Sequence, residues 1–493
     1  MRPYTFATRS LPELARFLGV NENVPTVEFS GITSSTKLLQ QGDLFAALPG
    51  SKYHGASFFE EAINAGAVAA VTDRAGAEII GGSLPTIVVD NPRDIVGDIA
   101  AWLNRSPFRS LFSVGITGTN GKTTTASLLN QMWSISNRET GFIGTTGVLV
   151  GHEAFPTQFT TPEAPELQSA VAVMVERACK YLVMEVSSHA LAQKRMRGSF
   201  FNTVAFTNLT QDHLDFHGNM ESYFESKAKL FTFEYADFGF INIDDSYGEK
   251  LSELTEIPHA TISRTSKRAH WHYDNIYQST DGYEVAIRGE GGILIEGHVG
   301  LVGAHNLDNV LMAVALAVKS GVDPLEISSN LHKLQGTAGR LEKVDIGQKF
   351  LALVDYAHTP DAVERVLAAV REITPGKVIG VLGCGGDRDA TKRPIMGAAL
   401  LAGTDFAVFT SDNPRSEDPQ TILNQMTSGL NMEQAGVVEV DRRGAIAIAV
   451  TEAQPGDTVI LLGKGHEVGQ EIHLVKYPFD DRIELARAIE SLS

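Results

Sequence analysis

The chain has almost no cysteine. Its two, Cys179 and Cys384, lie in or beside apolar stretches and show no motif spacing. That excludes a disulfide framework and fits a reducing compartment. No uninterrupted apolar run reaches about 18 residues, and the N-terminal MRPYTFATRSLPELARFLGV lacks a long apolar core. No membrane insertion is expected, and a cytoplasmic protein is. Positive charge is in deficit too: the formal net charge is −18. This disfavours non-specific nucleic-acid binding, which needs a basic surface, but local Lys and Arg can still hold anionic substrates. Low-complexity segments and short-period repeats are lacking. A monomer is expected.

What the chain does have is length and apolar content. At 493 residues and 43% hydrophobic, it is long enough for about two to four domains with large cores. Residues 1–107 carry GDLFAALPG, then alternating helix-like and strand-like stretches ending in IVGDIAAWLN. NRSPFRS reads as a linker. Residues 108–335 alternate strands such as YLVMEVS, TVAFTNL and FGFINID with helices, which predicts a mostly parallel α/β sheet. A polar, β-like insertion occupies about residues 260 to 300. Residues 336–493 hold strands FLALVDY, KVIGVLG, DFAVFTS, VVEV and DTVILLG, a second, smaller doubly wound fold. Polar motifs follow these strands: DYAHTP, GCGGDRD, SDNPR and GKGHE. In such sheets ligands bind beyond the strands' carboxyl ends.

The sharpest signal is VGITGTNGKTTT, residues 114–125. A buried strand breaks into a turn with Gly118, Asn120 and Gly121, and a helix follows. Backbone N–H groups of such a turn approach phosphate oxygens, Lys122 reaches the β/γ-phosphates, and the Thr123 hydroxyl suits Mg²⁺. The strict P-loop pattern is not met, because Ile116 stands where its first glycine belongs. YLVMEVSSH puts Glu185 at a strand end, well placed to hold Mg²⁺ near a phosphate loop. Asn208, Asp212, His213, Asp215 and His217 crowd into ten residues after another strand. A polar loop and a transition-metal site are the alternatives, but the lack of cysteine and the nearby phosphate loop favour Mg²⁺. His189 beside Ser188 is not read as a hydrolase pair.

TGTNGKTTT, MEVSSH, FTNLTQDHLDFHG and VDYAHTPDA together resemble the Mur ligases, ATP-dependent enzymes that add amino acids to the peptide of the cell-wall precursor. Motif order over almost the full length is similar to the branch performing the third addition. The resemblance implies three domains: an N-terminal domain for the UDP end, a central P-loop-type ATPase domain, and a C-terminal Rossmann-like domain for the amino acid. It implies ATP contacts at Gly118, Thr119, Asn120, Gly121, Lys122, Thr123 and Thr124, with Asn306 and Asp355 at adenine and ribose and Arg340 near the phosphates. The Arg340 segment reads GTAGRLE, without the proline usual in relatives. Lys122, Glu185, His213 and Lys227 are implied as catalytic. Thr123, Glu185, His213 and Lys227, the last as a carbamate, are implied around Mg²⁺. Such enzymes make an acyl phosphate, which an amine then converts to an amide.

For the acceptor, SDNPR supplies Asp412, Asn413, Pro414 and Arg415. In relatives this string accompanies meso-diaminopimelate, and lysine-adding relatives have a smaller residue in place of the arginine. A guanidinium fork suits the second carboxylate of diaminopimelate, which lysine lacks. Arg388, Gly463 and Glu467 complete the expected set. The structural alternative for Arg415 is an ion pair with Glu417 or Asp418. GHEVGQ, with Val468 and Gly469, departs from the GHEDYQ of relatives. The UDP-linked muramoyl dipeptide is expected at Ser35, Thr160, Thr161, Ser187, Gln193 and Arg195. Ser34 and Thr36 depart from the D-S-R triplet of relatives. L-Lysine or another diamino acid as acceptor, a folylpolyglutamate synthetase-like activity and a non-catalytic nucleotide-binding protein are the competing readings. Folylpolyglutamate synthetases generally lack a GDLF-type first domain.

Overall fold

The computed structural model describes residues 2–492 except 4–7, 21, 22, 51, 52, 158, 280, 281, 302, 337, 338, 340 and 433–435. Three α/β units follow one another. The first is built on a four-stranded parallel sheet, Gly31–Thr33, Asp43–Ala46, Ala67–Thr72 and Thr86–Val88, paired in chain order. Its strands are nearly all apolar, as expected for strands covered on both faces. Helix Val96–Leu103 packs on it through Val96, Ile99 and Ala100.

The central sheet has eleven strands. Phe112–Thr117 lies in its middle, parallel to Tyr181–Glu185 on one side and Thr203–Phe206 on the other. Pairing is parallel from Thr140–Gly144 across to Trp271–Ser279 and antiparallel at both edges. The polar stretch around 260–300 is therefore no separate insertion. Its strands Trp271–Ser279, Gly282–Arg288 and Leu294–Val299 extend the same sheet. The hairpin Gly147–Val150 and Glu153–Phe155 at the other edge has no counterpart in the sequence reading. Helices Lys122–Ile135 and Ala304–Lys319 share one core through Leu128, Leu129, Val310 and Leu311. NRSPFRS, which connects the first and central units, is packed. Phe108 is buried, with its ring edge-on to Phe201 at 5.5 Å.

The third unit has six strands in the order Glu342–Lys343, Leu351–Asp355, Thr458–Leu462, Val378–Cys384, Phe406–Ser411 and Gly436–Val438. All but the first are parallel. The four polar motifs follow the carboxyl ends of its central strands, so they gather on one edge. Arg442 ties two of those ends together from beneath. Its guanidinium donates to the carbonyls of Ser411 (3.3 Å) and Leu462 (2.9 Å) and to both carboxylate oxygens of Asp481 (2.7 and 2.6 Å). Both side chains are fully buried. Among the described residues no helix is long and apolar enough to cross a membrane.

Breaking a buried pair from one side leaves an uncompensated charge. Arg442→Ala should therefore destabilise the chain by about 3–5 kcal/mol in urea unfolding. A loss below about 1 kcal/mol, the usual value of an exposed pair, would mean the pair does not hold these strand ends.

Candidate active site

The phosphate loop is shaped by two close approaches. Gly118 has φ +150, and a Cβ there would lie 1.9 Å from Thr207 Oγ1. Gly121 has φ +83 and caps helix Lys122–Ile135. Its hypothetical Cβ would meet Asn309 Oδ1 at 2.4 Å. Only glycine fits either place. The Asn120 N–H donates to Asn208 Oδ1 at 2.9 Å, and Thr119 Oγ1 lies 3.1 Å from the Tyr223 hydroxyl.

Two lysines converge on this loop. Lys122 Nζ donates to the carbonyls of Gly118 (2.9 Å) and Thr119 (2.8 Å). Lys227 Nζ donates to the same Gly118 carbonyl at 2.7 Å. Lys227 is 1% exposed and its Nζ lies 4.6 Å from the Tyr223 ring centroid. Burial, reinforced by the Lys122 charge and opposed by Asp212, holds the Lys227 pKa well below the usual lysine value.

Glu185 ends its strand one step from the loop and is fully buried. Its Oε2 accepts from Thr123 Oγ1 at 2.9 Å and Thr145 Oγ1 at 3.2 Å, and its Oε1 accepts from the Thr145 N–H at 2.8 Å. A carboxylate joined to the loop hydroxyl is a hard-oxygen donor set that fits Mg²⁺. His213 has φ +55, and its Nε2 lies 3.4 Å from Asp212 Oδ2. Among the described residues no group of three or more His, Cys, Asp or Glu forms a cage.

His189 packs its ring against His213 (4.7 Å), Phe216 (4.3 Å) and His217 (5.6 Å). The partner of Ser188 is His217, with Oγ and Nε2 3.0 Å apart. Burial, then the nearby His189 and Lys227, push the His217 pKa down to about 4.

Two clefts open beside these groups. The first lies between the central and C-terminal units and is lined by Asn120, Gly121, Thr123 and Thr124 together with Asn306 and Asp355. The Asp355 carboxylate accepts from the N–H groups of Ala357 and Leu341, each at 2.7 Å. Arg340 lies outside the described residues. The second cleft, of about 530 Å³, has Thr160, Thr161, Ser187 and Arg195 on its central wall. Arg195 donates to the Thr161 carbonyl (3.1 Å) and to Gln193 Oε1 (2.6 Å), pairs with Glu163 (3.0 Å) and covers the Phe159 ring. Gln193 thus braces Arg195 rather than lining the cleft. Ser35 stands apart, in the turn after Gly31–Thr33, where its N–H donates to Thr33 Oγ1 at 3.1 Å.

The opposite wall of this cleft carries Arg388, Asp412, Asn413, Arg415, Gly463 and Glu467. Asp412 is buried, and its Oδ2 has no partner. Asn413 is the hub: Nδ2 donates to Glu467 Oε2 (2.8 Å), and Oδ1 accepts from Lys464 Nζ (3.2 Å) and the Glu471 N–H (2.9 Å). Pro414 is not part of the lining; its carbonyl accepts from the Glu417 N–H at 3.0 Å. Arg415 does not pair with Glu417 or Asp418. Glu417 is taken by Arg393, and Asp418 caps helix Pro419–Met426. The Arg415 guanidinium instead donates to the Gly386 carbonyl at 2.7 Å and lies 3.5 Å from Glu471. Lys392, Lys464 and Glu471 were not singled out by the sequence reading. Lys464 sits inside the quoted GKGHE motif, whereas the other two have no spacing signal.

Three family models match in the order these units occur: the Mur ligase family, catalytic domain (residues 27–102), the Mur ligase middle domain (116–317) and the Mur ligase, glutamate ligase domain (339–465). The chain belongs to the Mur ligase family of ATP-dependent ligases. It is 45% identical to the UDP-N-acetylmuramoyl-L-alanyl-D-glutamate--2,6-diaminopimelate ligase of Streptomyces coelicolor, over 99% of this chain and 98% of that one. The enzyme of the same name from Gloeobacter violaceus is 40% identical, over 97% and 98%. A solved structure bearing that name superposes with a TM-score of 0.68 at 31% identity, covering 98% of this chain and 99% of the other. Folylpolyglutamate synthase from Mycobacterium tuberculosis, solved with ADP and AMPPCP, shares the fold at 18% identity and TM-score 0.62, over 74% of this chain and 91% of that one.

The depressed His217 has a definite pH signature. The unfolded chain binds its proton near pH 6.5, while the folded chain resists it down to about 4. This contribution to stability is complete above pH 6.5 and is lost as pH falls towards 4. Urea unfolding of His217→Gln should show a shallower decline over that window than the parent chain. Equal slopes would mean that His217 is not held neutral.

Proposed function

We propose that this chain joins meso-diaminopimelate to UDP-N-acetylmuramoyl-L-alanyl-D-glutamate and converts ATP to ADP and phosphate in doing so. The observation that carries the reading is the second cleft. It sets Arg195 and the threonine pair opposite Arg388, Arg415 and the unpartnered Asp412 oxygen, with Asp212 and His213 in its lining. On this reading residues 1–107 hold the UDP end, 108–335 bind ATP, and 336–493 select the amino acid. The reaction belongs to the cytoplasm, and one chain supplies both clefts.

A carboxylate is a poor acyl donor at neutral pH. The substrate carboxylate attacks the γ-phosphorus of ATP, ADP departs, and an acyl phosphate forms. The incoming amine attacks the carbonyl carbon, the C–N bond forms, phosphate leaves with the C–O electron pair, and the nitrogen gives up a proton. Positioning and charge neutralisation supply most of the acceleration. Lys122 turns from the Gly118 carbonyl to the β/γ-phosphates. The loop N–H groups and the helix N-terminus hold phosphate oxygens. Thr123, Glu185 and His213 would hold Mg²⁺, which offsets phosphate charge when bound. Lys227 suits a carbamate because burial favours its uncharged form, and an uncharged amine can attack carbon dioxide and release a proton. The product is an anion where two cations would repel.

Arg415 supports diaminopimelate over lysine, because its guanidinium offers a fork to the second carboxylate that lysine lacks; the free Asp412 oxygen suits an ammonium that both acceptors carry. ADP release with the UDP-linked dipeptide should be fast with meso-diaminopimelate and slow with L-lysine. Arg415→Ala should raise the KM for diaminopimelate about 10- to 100-fold, as expected for loss of a charged hydrogen-bonded contact, while the KM for ATP stays unchanged. Faster turnover with L-lysine would overturn the acceptor assignment. Equal loss towards both substrates would make Arg415 structural.

A further inference from the structure

The C-terminal unit reaches the catalytic loop through one ion pair that the scheme above does not use. Lys392 opens helix Lys392–Gly403, and its Nζ lies 3.4 Å from Asp212 Oδ1 in the central unit. The two side chains are only 12% and 6% exposed. A cation in the first turn of a helix is opposed by the helix dipole, so this position needs a facing anion. Asp212 supplies it and does more. Its Oδ1 also accepts from the His213 N–H at 2.9 Å, and its Oδ2 lies 3.4 Å from the His213 ring. One carboxylate thus holds His213 in its left-handed conformation and anchors the helix of the other unit.

The turn between strand Val378–Cys384 and this helix carries Arg388, four residues before Lys392. Its base is tied internally, because Arg393 Nη2 donates to the Gly385 carbonyl at 3.0 Å. Across the cleft it is tied by Lys392. A nearby contact, Asn120 Nδ2 to Asp361 Oδ2 at 3.0 Å, joins the same two units on the nucleotide side. Lys392 is the counterpart on the amino-acid side.

We propose that Lys392 is a positioning residue for amide formation: through Asp212 it sets the amino-acid wall at attack distance from the acyl phosphate held beside His213. The inference rests on the ligase reading above. Lys392 has no part in making the acyl phosphate, which needs only ATP and the UDP-linked dipeptide. Its effect falls on the second step, where the amine must meet the carbonyl carbon and a misplacement of about 1 Å costs on the order of 100-fold in rate.

The two steps can be read separately. Formation of the acyl phosphate is followed by isotopic oxygen scrambling between bridging and non-bridging positions of ATP, with the UDP-linked dipeptide and no amino acid. Ligation is followed with saturating meso-diaminopimelate. The wild-type chain must do both; if it does neither, the ligase reading itself fails. With an active wild type, Lys392→Ala should keep scrambling within about threefold and lower the kcat of ligation about 10- to 100-fold. Lys392→Arg, which keeps the charge, should restore most of the ligation rate. Lys392→Ala added to Asp212→Asn should cost little further ligation, since the two act as a unit. Scrambling and ligation falling together in Lys392→Ala, ligation unchanged, or additive losses in the double variant would each overturn the proposal.

Discussion

Two lysine Nζ atoms directed at one carbonyl oxygen define this site. Lys122 and Lys227 both donate to Gly118, and like charges so close repel strongly in a buried setting. The arrangement is relieved when Lys227 gives up its charge, and further when Lys122 turns to phosphate oxygens. Burial already drives Lys227 towards neutrality. The glycines that let the loop fold so tightly also bring the Gly118 carbonyl within reach of both side chains. Loop shape, lysine chemistry and nucleotide affinity are therefore one constraint rather than three.

The rest of the chain delivers groups to that point by strand ends. Glu185 comes from the strand beside the phosphate strand, and the loop with Asp212 and His213 follows the strand on its other side. The C-terminal sheet brings Asp355, Arg388, Asp412 and Glu467 from the ends of four strands, and Arg442 binds two of those ends together. Parallel sheets suit this task because every strand points its carboxyl end the same way. The second cleft is a meeting of two such edges. Its chemistry depends on how they are held in register, and Asn120–Asp361 and Lys392–Asp212 do that on its two sides.

Much of the fold was legible because glycine turns and apolar runs punctuate the chain regularly. The phosphate strand and its helix, the switch to a second doubly wound sheet, and the strand-end motifs all follow from local pattern. The edge hairpin at 147–155 was not legible, since three- and four-residue strands carry little periodic signal. The packed Phe108 was missed because a Pro- and Ser-containing stretch reads as linker whatever its aromatic touches. In the site, residues within glycine-rich or charge-dense motifs were visible. The partners that orient them were not: Glu471 for Arg415, Lys392 for Asp212, and Arg442 for the strand ends are distant in sequence. Arg415 shows the point, because its neighbours Glu417 and Asp418 are engaged elsewhere.

The account stands on Lys227 carrying no positive charge in the folded chain. NMR of the lysine ε-carbons in the folded chain, with Lys227→Met to assign the signal, measures this directly. The account predicts a Lys227 resonance at a non-cationic position at neutral pH, unmoved as the remaining lysines titrate near ~10.4. A Lys227 signal that is cationic at neutral pH and titrates with the surface lysines would contradict it.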